Sequence, residues 1–192
     1  MKEVFKNPPM VSYSRCKSLR DMLVSAKLPP PTTNNNNTRS CRAGFSRCRR
    51  GGDLCMMCVT SPARASSHTS TNTGETWPIT SQVTCTTKNC VYRITCEKQC
   101  GECKKILPYI GITKNRACDR IQQHRGSIFN PGQQGSTKAV AQHFQSSGHT
   151  FAHFKTIVIE KVRSKSEFVL RSRERFWIRQ YDAIRHGLNI QA

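Results

Sequence analysis

Hydrophobic positions along this chain change their register near residue 90. From there on, strand-like runs alternate with helix-like stripes. Cys90 to Cys96 (Cys-Val-Tyr-Arg-Ile-Thr-Cys) is β-branched and aromatic and predicts a strand, and Ile106 to Ile112 predicts a second. Phe154 to Val162 predicts the strongest strand in the chain. Three helices are predicted around them: Lys114 to Ser127, with Ala117, Ile121 and Ile128 on one face; Thr137 to Gln145, capped by Ser136 or Thr137; and Ser164 to Tyr181, capped by Ser164 or Ser166. Gly187 reads as a helix C-cap.

Upstream of residue 90 the pattern is weaker. Ser18 to Lys27 places Leu19, Met22, Leu23 and Ala26 at helical spacing. Pro29-Pro30-Pro31-Thr32-Thr33 and the asparagines Asn34 to Asn37 form a linker signature. Residues 41–58 are rich in Cys and Arg, and residues 60–82, dominated by Ser and Thr, read as a loop. No internal repeat is visible. The expected organisation is an N-terminal helix and Pro/Asn-rich linker (1–40), a Cys-rich and Ser/Thr-rich module (41–89) and an α/β domain (90–192).

Composition narrows the function. Only 36% of the residues are hydrophobic, which suits a compact core of roughly 100 residues carrying a loosely built extension. The formal charge is +20, from 31 Lys+Arg against 11 Asp+Glu. Such a charge opposes compaction unless a polyanion neutralises it, and nucleic acid is the commonest polyanion. A membrane partner is not expected: no run of about 18 apolar residues exists, and no basic amphipathic helix stands at a terminus. The start, Met1-Lys2-Glu3-Val4-Phe5-Lys6, lacks the apolar region of a secretory signal. The eleven cysteines are therefore expected to be intracellular and reduced, and close pairs of reduced cysteines suggest metal.

Two features carry chemistry. Arg116, Arg120 and His124 are spaced i, i+4, i+8 and share one stripe of a predicted helix. Taken alone this is a solvated basic face. In the last helix, Leu170, Trp177, Ile178 and Tyr181 define an apolar stripe, and Glu174 falls inside it. A carboxylate on a core-facing stripe is costly unless it is paired or bound to metal. A salt bridge to Arg120 and a hard oxygen ligand for Mg²⁺ or Mn²⁺ are the two readings.

The order of motifs resembles that of GIY-YIG nucleases. It runs Val91-Tyr92-Arg93-Ile94, Tyr109-Ile110-Gly111-Ile112-Thr113, Arg120-Ile121-Gln122-Gln123-His124-Arg125, Arg173-Glu174-Arg175-Phe176-Trp177-Ile178 and Gly187-Leu188-Asn189. The resemblance spans roughly Thr84 to Gln191. More narrowly, the chain is similar to the endonuclease domain of Penelope-like retroelements. That similarity rests on Cys96 with Cys100 or Cys103 between the tyrosine motifs, on His143-Phe144 with His149, and on the ending Gly187-Leu188-Asn189-Ile190. Lys17 to Leu28 resembles the segment joining reverse transcriptase to endonuclease in those elements. Val-Tyr stands where the family has Gly-Ile-Tyr, Cys90 replaces an apolar residue, and the stretch from Cys96 to Tyr109 is a few residues long for the pattern.

The resemblance implies a small mixed sheet of about three strands flanked by helices, and a metal-dependent DNA endonuclease. It implies that Tyr92 and Tyr109 line the site and position or deprotonate the attacking water. Arg120 would stabilise charge on the phosphate, and His124 would be the general base or its relay. Glu174 would hold Mg²⁺ or Mn²⁺, and Asn189 would brace the site. Gly111 would let the backbone pass close under the substrate. It further implies a nuclear protein that exposes a 3′-hydroxyl for target-primed reverse transcription, with element RNA and a reverse transcriptase domain as partners. Two rivals remain: a catalytically silent zinc protein that binds nucleic acid, and a structure-specific repair nuclease marked by preference for branched DNA.

Two structural zinc sites can be drawn. One takes Cys96, one or both of Cys100 and Cys103, and His143 with His149; the two-residue spacing of Cys100 and Cys103 lets both sulfurs reach one ion. The other takes Cys48, Cys55, Cys58 and Cys85, with Cys41 or His68 as substitutes. Cys16 and Cys118 read as plain residues, Cys118 as a buried one. Arg42, Arg47, Arg49 and Arg50, together with Arg116 and Arg125, are the expected phosphate contacts or else a solvated basic surface.

Overall fold

In chain order the elements are β1 (Gly44–Ser46), α1 (Met56–Thr60), β2 (Arg64–Ala65), β3 (Ser67–Thr69), β4 (Thr76–Pro78), β5 (Gln82–Thr84), β6 (Cys90–Cys96), β7 (Leu107–Thr113), α2 (Ala117–Phe129), α3 (Lys138–Gln145), a 3-10 turn (Phe151–His153), β8 (Phe154–Lys161) and α4 (Glu167–Gln180). This computed structural model describes residues 43–48, 55–98, 106–130, 138–146 and 148–190. The expected helix at Ser18 to Lys27, the Pro/Asn linker, Cys16, Cys41, Cys100, Cys103, Arg42, Arg49, Arg50 and the cap at Ser136 or Thr137 lie outside them.

The fold is mixed α/β, and its centre is the three-stranded sheet β7-β6-β8. β6 is buried at every position but Arg93, which is why its sequence is apolar on both faces. Both pairings of β6 are antiparallel, so the central sheet is not the mixed one expected. β7 and β8 run the same way, as strands joined through helices do, but β6 separates them. A bulge between Val91 and Tyr92 shifts the register against β8.

Alternation along β6 sorts the chemistry by face. Tyr92 pairs with Gly111 and Ile94 with Tyr109, so these four share the face that α2 covers. Arg93 pairs with Ile110 and Ile157 on the other face. There its Nη1 donates to the Tyr181 hydroxyl just beyond α4, at 3.2 Å.

The expected loop over residues 60–82 is corrected in part by the structure: three short strands, β2, β3 and β4, interrupt it, and β5 begins at its end. β1, β2 and β5 form a small sheet, and β3 pairs with β4. The cause is aromatic. His68 and Trp77 are cross-strand partners, and both rings pack on Trp177 and Tyr181, with centroids 4.9 to 5.9 Å apart. His68 Nδ1 lies 2.6 Å from the Tyr181 hydroxyl. His68 is therefore held in an aromatic box and is no substitute ligand for the cysteines. On the other face, the hydroxyls of Thr60 and Ser61 meet Thr156 of β8 at 2.8 and 3.0 Å. One unit thus runs from Ser40 to Ala192, larger than the core of about 100 residues expected from composition.

Helix boundaries moved for local reasons. α2 starts three residues late because Thr113 and Asn115 close a turn on each other: the Asn115 amide donates to the Thr113 hydroxyl at 3.1 Å. α4 follows Ser166 as N-cap, although its side chain makes no capping bond. Gly187 is not the C-cap of α4, which ends at Tyr181. A Cβ there would collide with the carbonyl oxygens of Pro108 and Ala183, so the residue is small because two backbones meet over it. Among the described residues, no helix is long and apolar enough to cross a membrane.

Candidate active site

β6 and β7 present two phenols side by side because Tyr92 and Tyr109 both point to the α2 face. Gly111 makes this possible. A Cβ at that position would stand 2.6 Å from Tyr92 Oη and 2.9 Å from Tyr109 Cε1. The glycine yields space to the two aromatic rings, so the close approach it serves is internal rather than toward a substrate.

α2 brings Arg120 and His124 onto the phenols, one helical turn apart. His124 Nε2 lies 2.8 Å from Tyr92 Oη, and Arg120 Nε donates to the same oxygen at 3.2 Å. Arg120 is held from behind by Gln123, whose Oε1 accepts from Nη1 at 2.9 Å. With the guanidinium donating to the phenol oxygen, the phenol proton is directed to His124. His124 is fully buried, and its Nδ1 has no hydrogen-bond partner among the described residues. Burial, with Arg120 nearby, pushes its pKa down to about 3, so the imidazole is neutral. Burial pushes the Tyr92 phenol up, against the opposing effect of Arg120. Tyr109 is shifted the same way and for the same reasons, and its ring stands 5.5 Å from His124. Tyr92 is fully buried and Tyr109 only half-buried.

Asn189 braces β7. Its Oδ1 accepts from the Ile110 amide at 2.9 Å and its Nδ2 donates to the Ile110 carbonyl at 2.8 Å. One side chain thus completes both backbone groups of the residue between Tyr109 and Gly111. Beside Arg120, a cleft of about 310 Å³ opens between the starts of α2 and α4, lined by Ile112, Asn115, Gln123 and Leu170 among others.

Glu174 lies on α4, half-buried. Burial raises its pKa, offset by the positive charges of Arg171, Arg120 and Arg175. It forms neither an ion pair nor a hydrogen bond among the described residues; the ion pairs of α4 are Glu167 with Lys114 and Arg171, and Arg173 with Glu160. The alternative reading, a salt bridge to Arg120, is thus not formed. A desolvated carboxylate without a partner, facing an arginine and two phenols, fits a hard divalent ion.

The cysteines gather as their spacing predicts. Sulfurs of Cys48, Cys55, Cys58 and Cys85 lie within 4.8 Å of one another. Cys48 and Cys58 are 3.6 Å apart, close to the roughly 3.8 Å between ligands of a tetrahedral ion with bonds of about 2.3 Å. Cys55 caps α1 and Cys58 sits in its first turn, while the Cys48 amide donates to the Cys58 sulfur at 3.4 Å. Burial pushes the Cys58 thiol up to about 11, a cost that a dication on the thiolates reverses. The second group is Cys96, His143 and His149, also within 4.8 Å. The His143 and His149 rings are 4.4 Å apart, and the buried His143 Nε2 has no hydrogen-bond partner among the described residues. Cys118 is only half-buried and joins neither set.

The basic residues are less concentrated. Arg116 forms an exposed bidentate pair with Asp119, Arg125 lies over the Phe129 ring, and Arg47 Nε donates to the Ser61 carbonyl at 3.1 Å. Three elements of the site escape sequence reasoning. Gln123 behind Arg120 is one of two adjacent glutamines. Glu160 accepts from Trp177 Nε1 at 2.5 Å and from Arg173. The His68 box joins positions more than a hundred residues apart, without a spacing signal.

A histidine-backed phenol, an arginine and an unpaired carboxylate on one edge of a small α/β sheet define a phosphodiester hydrolase that works with a divalent ion. The chain belongs to the GIY-YIG family: the model of the GIY-YIG catalytic domain matches residues 88–189. It is a nuclease domain, metal-dependent, with DNA as the substrate that the family implies. No curated protein and no solved structure matches the chain.

Proposed function

We propose that this chain is an endonuclease of a Penelope-like retroelement that nicks or cuts DNA so that a freed 3′-hydroxyl primes reverse transcription. The observation that carries the nuclease chemistry is the chain Arg120 Nε to Tyr92 Oη to His124 Nε2. It supports His124 as a relay, since the imidazole is sealed behind Tyr92 and has no direct path to water. An attacking water held at the phenols passes its proton toward Tyr92, and Tyr92 passes its own to His124 Nε2. Tyr109, the more exposed phenol, orients that water. Arg120 faces the phosphate, where negative charge grows as the bond to the leaving oxygen breaks. Glu174 holds Mg²⁺ or Mn²⁺, which supplies Lewis-acid polarisation of the phosphate and leaving oxygen. Asn189 keeps β7 in register beneath the phenols.

Zinc at Cys48, Cys55, Cys58 and Cys85, and at Cys96, His143 and His149 with Cys100 or Cys103, is structural in this reading, since such sets leave no open position. Arg42, Arg47, Arg49, Arg50, Arg116 and Arg125 contribute phosphate contacts. Element RNA and a reverse transcriptase domain are the further partners, and the nucleus is the place of action. The retroelement setting rests on the sequence resemblance and on the way the two Cys/His sets assemble.

Relaxation of supercoiled plasmid with added Mg²⁺ or Mn²⁺ tests this. Wild type is expected to nick, and Glu174→Ala to bind DNA without nicking. Equal DNA binding by both with no cleavage under either ion, zinc being present, would leave a silent nucleic-acid-binding protein.

A further inference from the structure

Both ends of α2 are tied to the two Cys/His clusters. The first amides of a helix lack intrahelical partners, as do its last carbonyls. In α2 the Ala117 amide donates to the Thr87 carbonyl at 3.0 Å, and the Cys118 amide to the Cys85 carbonyl at 2.8 Å. Cys85 is a member of the four-cysteine cluster, so a cluster residue itself receives the first turn of the helix. At the opposite end, Gln145 Nε2 donates to the carbonyls of Ser127 and Ile128, at 3.0 and 3.1 Å. Gln145 stands two residues after His143, on the same helix α3, and His143 belongs to the second cluster. Between these anchor points lie Arg120 and His124, which meet Tyr92 at 3.2 and 2.8 Å.

We propose that the two clusters form a clamp on the catalytic helix, so that metal in each holds one end of α2 and together they hold Arg120 and His124 in place on Tyr92. Cys85, Thr87 and Gln145 are positioning residues on this account. Each cluster does more than stabilise the fold in general: it fixes a named end of the helix, and the two effects are separable. The short reach favours this, since no flexible segment intervenes between ligand and helix. At the first end the cluster residue itself accepts the bond. At the second, one helical residue, Phe144, stands between His143 and the bonding amide of Gln145. The inference rests on reading both groups as zinc sites.

The test is residue-resolved amide exchange together with zinc stoichiometry and single-turnover cleavage. Wild type should hold zinc at both clusters. Cys55→Ser, which removes a ligand that does not itself bond to α2, should lose zinc from the first cluster. It should speed exchange at Ala117 and Cys118 by about tenfold or more while residues 128–130 stay protected. His149→Ala should do the reverse. Gln145→Ala should free the 128–130 end with its zinc retained. All three should slow cleavage at saturating DNA by about tenfold or more and leave DNA affinity unchanged, as a misplaced catalytic group does. Loss of zinc with unchanged exchange at both ends overturns the clamp. Exchange that rises equally across β6 and α4 reduces the clusters to general fold stabilisers and overturns it too. Absence of zinc from wild type overturns the metal reading first and the clamp with it. If Cys55→Ser does not fold, graded chelation of wild type and the Gln145→Ala result decide.

Discussion

Replacing Gly111 by alanine should separate cleavage from DNA binding. The added methyl would meet Tyr92 Oη at 2.6 Å, Tyr92 Cζ at 2.7 Å and Tyr109 Cε1 at 2.9 Å, where ordinary contact begins at 3.4 Å. The shortfall at Oη is thus about 0.8 Å, and it must be taken up by the phenol or by β7. Tyr92 is fully buried and cannot swing outward. β7 is pinned at Ile110 by both arms of Asn189. The phenol must therefore tilt away from the 2.8 Å contact with His124. Overpacking of this kind costs about 1–3 kcal/mol of stability, and a catalytic contact displaced by close to 1 Å costs roughly 10²-fold in rate. Plasmid nicking under Mg²⁺ or Mn²⁺ should fall by about that factor, while affinity for the same plasmid without added Mg²⁺ or Mn²⁺ stays within about twofold, because the exposed arginines expected to meet phosphate do not move. The thermal midpoint should drop by several degrees. Wild-type nicking by Gly111→Ala would refute the role given to the Tyr92–His124 contact, since the clash cannot leave that contact unchanged.

Other outcomes follow from the same geometry. Burial depresses His124 to about 3 and His68 to about 4, against the ordinary 6.5. The unfolded chain therefore binds more protons below pH 6.5, and the stability held above that value is lost as pH falls toward 4. Urea unfolding at pH 5.5 should give a free energy about 2–3 kcal/mol below that at pH 7.5; identical values would contradict the neutral, sealed imidazoles. Asn189→Ala leaves the Ile110 amide and carbonyl unpaired in a buried place and should cost about 2–4 kcal/mol in thermal or urea unfolding. A cost below half a kilocalorie would mean that water replaces the side chain.

Long-period pattern was legible in the sequence, and contacts between distant small segments were not. β6, β8 and the helices from α2 onward follow from alternation and from stripes such as Leu170, Trp177, Ile178 and Tyr181, because their burial is spread over whole elements. Glu174 stood out because it broke such a stripe. Both Cys/His groups could be drawn because short spacings constrain ligand sets. The Ser/Thr stretch was misjudged because β2, β3 and β4 are two or three residues long, too short for alternation to register. Their stability comes from Trp77 and His68 meeting α4. The roles of Gly111 and Gly187 were equally hidden: each is small because of what stands opposite, and sequence does not show the opposite side.

The aromatic box has a bearing on where this protein can be divided. The family match begins at residue 88, and a fragment cut there would look complete by motif. It would lack His68 and Trp77, stripping their cover from Trp177 and Tyr181. It would also lose Thr60 and Ser61 from the flank of β8. The bared rings would be sticky, and such a fragment should aggregate. The smallest soluble portion of this nuclease therefore includes the Ser/Thr hairpin, and the boundary drawn by shared motifs falls inside a cooperative core.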